Sequence, residues 1–270
     1  ARSNLLLDTD ELPSSYSIVP TIDAGEEFKE AAFSWLQSNP AQILIVTETK
    51  MREPLQELAN AVDPTRITVL TVPKANKRLQ MAHGIRNTTT DIIAFADDDA
   101  IWPPTMLQWV LACFEDQQVG GVGTSQRVKP QSGKMTVWEV LAAFRLSIRN
   151  FEIASSTHID GGVPCLSGRT AAYRTVILKD PAFLQGFTND YWLGKYLLNS
   201  GDDKFLTRLV ASYFSIFTNA AADSTPFFVL DQMDGQSRLE HVHPSLPGSR
   251  AAVDHEARLA IPEAGSSMDP

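Results

Sequence analysis

The sequence predicts an α/β protein with one main domain on a mostly parallel central sheet, and three observations carry that prediction. From Tyr16 to Ala96, short continuous apolar runs alternate with stretches of helical periodicity. One run, Ile92-Ile93-Ala94-Phe95-Ala96, passes without polar alternation into Asp97-Asp98-Asp99. A strand buried on both faces reads this way when its carboxyl end opens onto a ligand crevice. A chain of 270 residues, 43% of them hydrophobic, can bury one sizeable core.

In chain order, residues 1–15 are polar and end in Pro13-Ser14-Ser15, a predicted flexible entry. Tyr16 to Pro20 reads as the first strand, and Thr21-Ile22-Asp23-Ala24-Gly25 as a strand-to-helix loop facing the crevice. Phe28, Ala31, Ala32, Trp35 and Leu36 fall at helical spacing, so Glu26 to Ser38 is predicted helical, stopped by Asn39-Pro40. Ile43 to Val46 is a buried strand ending at Thr47-Glu48-Thr49, and a helix follows over about 52–62, where Pro54 is tolerated in the first turn. Ile67 to Val72 gives the third strand, Lys74 to Arg78 opens the third helix, and 91–96 is the fourth strand. Right-handed crossovers between parallel strands then bring Asp23, Glu48, Lys77 and Asp97 to Asp99 near one edge of the sheet.

Beyond the acidic triplet, Trp102-Pro103-Pro104 starts a helix with a core stripe of Met106, Leu107, Val110, Leu111 and Phe114. Val119 to Val128 reads as a further strand, whose glycines do not match G-x-G-x-x-G, and Val137 to Ile153 as a long helix. Arg145 and Arg149 are i,i+4 neighbours on that helix and read mainly as a solvated face. Gly161-Gly162 marks a loop, Ser167-Gly168 is placed where a strand gives way to a helix, and Asn189 to Asn199 is predicted to be an aromatic-rich helix. Gly201-Asp202-Asp203 sits at the mouth of the next helix, where acids also serve as simple caps.

Composition excludes several classes. A net charge of -9, from 23 Lys and Arg against 32 Asp and Glu, leaves nothing to neutralise a nucleic-acid backbone. Cys113 and Cys165 lie in apolar text without metal-ligand spacing, as reduced core thiols do. No stretch approaches 18 apolar residues and the N-terminus has no signal-peptide pattern, so the chain as given reads soluble and cytoplasmic. It starts at Ala1 rather than Met, which reads as a fragment or a processed product. Three clustered acids repel one another and are costly to desolvate; a divalent cation bridging to a diphosphate relieves both costs.

Four motifs in a fixed order add to this reading: Lys77-Arg78, the acidic strand end at 97–99, Leu166-Ser167-Gly168-Arg169, and Gly201-Asp202-Asp203-Lys204. Together they resemble the processive family 2 glycosyltransferases, the hyaluronan, chitin and cellulose synthase group, and among them the fungal polysaccharide or capsule synthase-like proteins. The resemblance covers Tyr16 to Arg208. It implies a GT-A fold, a Rossmann-like nucleotide-diphospho-sugar transferase domain, with a UDP-sugar donor, a carbohydrate acceptor and Mg²⁺ or Mn²⁺. By the same resemblance Glu48 contacts the uridine with help from Asp23, and Lys77 and Arg78 lie near the diphosphate. Asp97 and Asp99 match the family's D-x-D, with Asp99 as the direct metal ligand and Asp98 in the donor-binding set. Asp203 matches the general base on the acceptor hydroxyl, with Asp202 beside it as a like charge, while Ser167, Gly168 and Arg169 match the stretch lining the acceptor. The implied reaction is transfer with inversion in polysaccharide synthesis.

Family members carry a downstream Q-x-x-R-W motif and then membrane helices, with the active domain facing the cytoplasm. Neither motif nor helices follow Arg208 here, and the 209–270 text is rich in Ser, Ala, Asp and Pro. The expectation is a GT-A domain over 16–208 and a divergent, largely disordered tail over 209–270, with activity impaired by truncation. A catalytically inactive nucleotide-sugar-binding module is the alternative. A sugar-1-phosphate nucleotidyltransferase would want a Gly-rich, basic signature after the first strand, which Thr21 to Gly25 does not offer.

Overall fold

Apolar residues at every position of a strand need packing on both faces, and the two layers of this protein supply it. The computed structural model describes residues 15–22, 25–130, 134–160, 163–213 and 215–216. The strands are β1 (Ser15–Pro20), β2 (Gln42–Glu48), β3 (Ile67–Val72), β4 (Ile92–Ala96), β5 (Val119–Gly123), β6 (Thr170–Arg174), β7 (Tyr191–Trp192), β8 (Tyr196–Leu197) and β9 (Ser215–Ile216). The helices are α1 (Glu26–Gln37), α2 (Arg52–Val62), α3 (Lys77–Asn87), α4 (Met106–Ala112), α5 (Val137–Asp160), α6 (Thr175–Leu178), α7 (Pro181–Thr188) and α8 (Asp202–Tyr213).

Among the described residues seven strands form one sheet in the order β3-β2-β1-β4-β6-β5-β9, and β7 and β8 form a separate hairpin. β3, β2, β1 and β4 are mutually parallel, while β6 runs antiparallel to both β4 and β5. β4 therefore lies at the centre, buried along its whole length. Its Ile92, Ala94 and Ala96 join one core with Phe28 and Trp35 of α1, whereas Ile93 and Phe95 join the other with Met81, Ala82 and Ile85 of α3. β2 splits likewise, Ile43 and Ile45 to the first core and Leu44 and Val46 to the second. The absence of a side chain at Gly84 lets α3 approach β1, since a Cβ there would stand 2.7 Å from Ile18 Cγ2.

The parallel half follows the sequence reading closely, α2 and β3 to the residue. The α/β reading with a mostly parallel central sheet holds. Several details are corrected. α3 begins at Lys77, not Lys74, because the Asn76 side chain caps it by accepting from Leu79 N–H. The helix expected from Trp102 begins at Met106; Trp102 itself is buried, its N–H bonded to Ser34 Oγ at 3.0 Å.

β5 stops at Gly123 rather than Val128, because the next residues leave the sheet: Thr124 Oγ1 donates to the Thr170 carbonyl, and Asn150 on α5 donates to the Gln126 carbonyl. α5 continues past Ile153 to Asp160. Ser167-Gly168 lies in the loop that leads into β6, not at a strand-to-helix junction. The aromatic stretch is the β7–β8 hairpin, not a helix, because Leu193 and Gly194 take φ of 53° and 65°, a left-handed pair that turns the chain back. α8 runs past the boundary set at Arg208 to Tyr213, and Ser215–Ile216 adds to the edge of β5. Asp23, Gly161-Gly162 and residues 217–270 lie outside the described residues.

Candidate active site

In a parallel sheet the crevice opens at the carboxyl ends of the strands, and here it is the end of β4 that supplies the acids. Asp97 N–H donates to the Arg169 carbonyl at 3.0 Å and Ala100 N–H to the Asp97 carbonyl at 3.1 Å, so the chain turns sharply after the strand. That turn separates the triplet. Asp98 receives a short hydrogen bond from Thr21 Oγ1 at the end of β1. Asp97 and Asp99 face the other way, into a cavity of about 1150 Å³. α1 holds the exit of the turn in place: Trp35 Nε1 donates to the Ala100 carbonyl at 2.6 Å and Ser38 Oγ to that of Pro103 at 2.9 Å. Gln80, buried on α3, bonds the carbonyls of Thr21 and Val46 and so ties the β1 and β2 ends together.

Lys77, at the first position of α3, reaches into the same cavity. Its Nζ stands 2.7 Å from Asp97 Oδ1 and 3.5 Å from Asp202 Oδ2. Burial draws the Lys77 pKa down, but the charges and hydrogen bonds of the two carboxylates outweigh it and the net direction is up. Asp97 is also raised, because burial and the neighbouring Asp99 outweigh the pull of Lys77 and Arg169. The two directions agree: Lys77 has two carboxylates to answer, whereas Asp97 shares its cation with Asp202.

The acid pair arrives from α8. Asp202 is buried and turned to Lys77, so its charge is compensated rather than directed at Asp203. Asp203 is half-buried, its Oδ1 accepting from Lys204 N–H at 2.8 Å and its carbonyl from Thr207 Oγ1 at 2.7 Å. Gly168 lies between the two sides, where a Cβ would make ordinary contact with Asp202 Oδ2 at 3.5 Å and Lys77 Nζ at 3.6 Å. Ser167 accepts from Arg149 at 2.8 Å, and Arg169 donates to Gln126 Oε1 at 3.2 Å. Cys165 lies beside them; burial and Asp203 push its thiol up to about 11, which makes it inert at neutral pH.

The structure thus gathers Lys77, Asp97, Asp99, Ser167, Gly168, Arg169, Asp202 and Asp203 around one cavity. Three expected site residues stand elsewhere. Arg78 is buried and donates to the Phe187 and Ser200 carbonyls and to Asp190, while stacking on Phe187 and Phe205. It braces α3 against α7 and the loop before α8. Glu48 ends β2 outside this cavity and pairs with Lys50 at 2.8 Å. Asp98 holds Thr21. Conversely Arg149, read as a solvated face, lines the cavity with Arg145, as does Gln126. The i,i+4 spacing of the two arginines was the available signal, but nothing in it said which face meets the loop after β5.

A hard divalent cation is often held by one or two carboxylates together with substrate phosphates. Among the described residues no three His, Cys, Asp or Glu side chains converge on a metal position. The Asp99 carboxylate faces the cavity without an ion pair among the described residues. This donor set fits a cation completed by a diphosphate rather than one caged by protein alone. Among the described residues no helix is long and apolar enough to cross a membrane.

Known proteins similar to this chain point to one family. The family described as glycosyltransferase like family 2 matches residues 13–220. A type 2 glycosyltransferase of Zymoseptoria tritici is 48% identical over 198 residues, which cover 73% of this chain and 41% of that protein. The NDP-glycosyltransferase ltbB of Aspergillus luteorubrus is 36% identical over 207 residues, 72% of this chain and 49% of that one. The chain thus spans less than half the length of these curated relatives. Among solved structures, a mannosyltransferase of Pyrobaculum calidifontis in complex with GDP-Man and Mn²⁺ superposes with a TM-score of 0.55 at 16% identity, over 76% of this chain and 54% of that one. Staphylococcus aureus TarS 1-349 in complex with UDP gives 0.53 at 15% identity, over 77% and 59%. These last two likenesses are of fold. The extent of the family match and the identity to the fungal proteins show that the chain belongs to the family 2-like glycosyltransferases.

Proposed function

We propose that this domain transfers a sugar from a UDP-sugar to an acceptor hydroxyl with inversion at the anomeric carbon, in the synthesis of a carbohydrate polymer by the whole protein. The observation that carries the reading is that Lys77 connects the acids at the end of β4 with the acids at the start of α8 across one cavity. A donor placed over Asp99 and Lys77 has its diphosphate on one side and Asp203 on the other. Asp203 takes the acceptor proton as general base. Lys77, held by Asp97, orients the diphosphate, and Ser167, Gly168 and Arg169 line the acceptor path. Asp99 and Asp97 would hold Mg²⁺ or Mn²⁺, which would neutralise charge on the departing diphosphate.

A second reading is nucleotide-sugar binding without turnover. Release of UDP from a panel of UDP-sugars, with and without Mn²⁺ and with oligosaccharide acceptors, separates the two. Acceptor-dependent, metal-dependent UDP release supports transfer; UDP binding with no release in any combination supports the second. Asp99→Asn should weaken UDP binding at least about tenfold in Mn²⁺ and little in chelator, a change of about 1.4 kcal/mol. Equal calorimetric affinities for both proteins in both conditions would remove the metal assignment.

A further inference from the structure

One helix walls two cavities. On α5, Arg145 and Arg149 line the main cavity, and they also line a neighbouring groove of about 460 Å³. Apart from Glu152 the rest of that groove is apolar: Leu141, Phe144, Ile148 and Ile153 from α5, with Pro164. Leu141, Phe144 and Ile148 are 54%, 64% and 58% exposed, at a spacing that puts them on one helical face. Large apolar side chains gathered at this exposure mark a binding surface rather than a solvated one. Cys165 lines both spaces and interacts with Asp203, so the groove opens within one side chain of the base.

We infer that this groove is a subsite for an apolar part of the acceptor, an aliphatic chain or aromatic group attached to the moiety whose hydroxyl Asp203 deprotonates. Continuity with the main cavity through Cys165, Arg145 and Arg149 selects this occupant over an unrelated partner. The inference rests on the base and donor assignments above. In the reaction the acceptor hydroxyl gives its proton to Asp203 and its oxygen bonds the anomeric carbon. The bond from that carbon to the diphosphate oxygen breaks, and the electron pair leaves with UDP.

The test is calorimetry of the 270-residue chain, with UDP and Mn²⁺ present, against methyl, butyl, hexyl and octyl β-D-glucosides below their micelle concentrations. Each methylene that enters the groove should tighten binding by up to about fourfold, and butyl to octyl by at least about tenfold. Phe144→Ser and Ile148→Ser, both at exposed positions, should flatten that dependence while the Kd for UDP alone stays the same. Equal affinity from methyl to octyl, or a length dependence that survives both substitutions, overturns the inference. So does a dimer that either substitution dissociates with no response to chain length, because the groove would then be covered by a second copy. UDP binding with no length dependence defeats the groove alone; length dependence without UDP binding defeats the donor reading and leaves the groove standing.

Discussion

Lys77 and Asp97, twenty residues apart in sequence, meet at 2.7 Å because α3 starts where β4 ends. Removing the ammonium leaves burial and Asp99, which push the Asp97 pKa up, opposed only by the weaker pull of Arg169. Lys77→Ala should therefore move the acidic limb of Mn²⁺-dependent UDP binding to higher pH and weaken binding about tenfold near neutrality, a modest loss because the pair is partly exposed. Titration of UDP affinity against pH checks it, and an unshifted limb refutes the coupling.

Asp203→Asn should abolish transfer, by about 10² to 10⁴ in rate, while UDP affinity stays within about threefold. The motivating geometry is that Asp202, not Asp203, takes the Lys77 charge. Single-turnover kinetics beside UDP calorimetry decides; undiminished turnover ends the assignment, and lost UDP binding makes Asp203 a donor ligand.

Arg78→Met should act on stability, not on the donor. Its guanidinium is buried against Asp190 and two carbonyls, so truncation strands a carboxylate at a cost of roughly 3 kcal/mol. Chemical denaturation measures this. A stable variant with weakened UDP binding would return Arg78 to the diphosphate.

Asp63 organises the turn between α2 and β3 by accepting from Thr65 N–H and Oγ1 and from Arg66 N–H and Nε. Those bonds, the Thr65 hydroxyl first, hold its pKa below the ordinary 3.8. A lowered folded value means stability that is present above pH 3.8 and lost as the pH falls below it. Asp63→Ala should lower Tm at neutral pH, and the gap to the parent chain should narrow on acidification below that value. A constant gap across the series would contradict the turn's role.

The acid motifs were legible because their chemistry is local: an apolar strand running into Asp97-Asp98-Asp99 and a glycine before Asp202-Asp203 announce themselves at short range. The sequence could not assign partners. Lys77 and Arg78 are adjacent, and successive helical residues point about 100° apart, so only one of the pair could meet the crevice. Which one depended on α7 and the segment before α8 wrapping Arg78. The 189–199 stretch misled for the opposite reason, its aromatic content hiding a turn in which Leu193 takes a left-handed conformation that its side chain disfavours.

By itself, then, the sequence determined the alternating strands and helices from β1 to β4 and the acids at the carboxyl end of the sheet. Continuous apolar runs and helical spacing are patterns of neighbouring residues, and crossovers have a fixed hand, so both are readable without the rest of the chain. Only the tertiary structure decided that Asp98 turns to Thr21 while Asp97 and Asp99 face the cavity, that Lys77 answers Asp202 across 125 positions, and that Arg149 belongs to the site. Those outcomes follow from where separate elements dock, and a side chain's charge is spent on whichever partner the docking brings within reach.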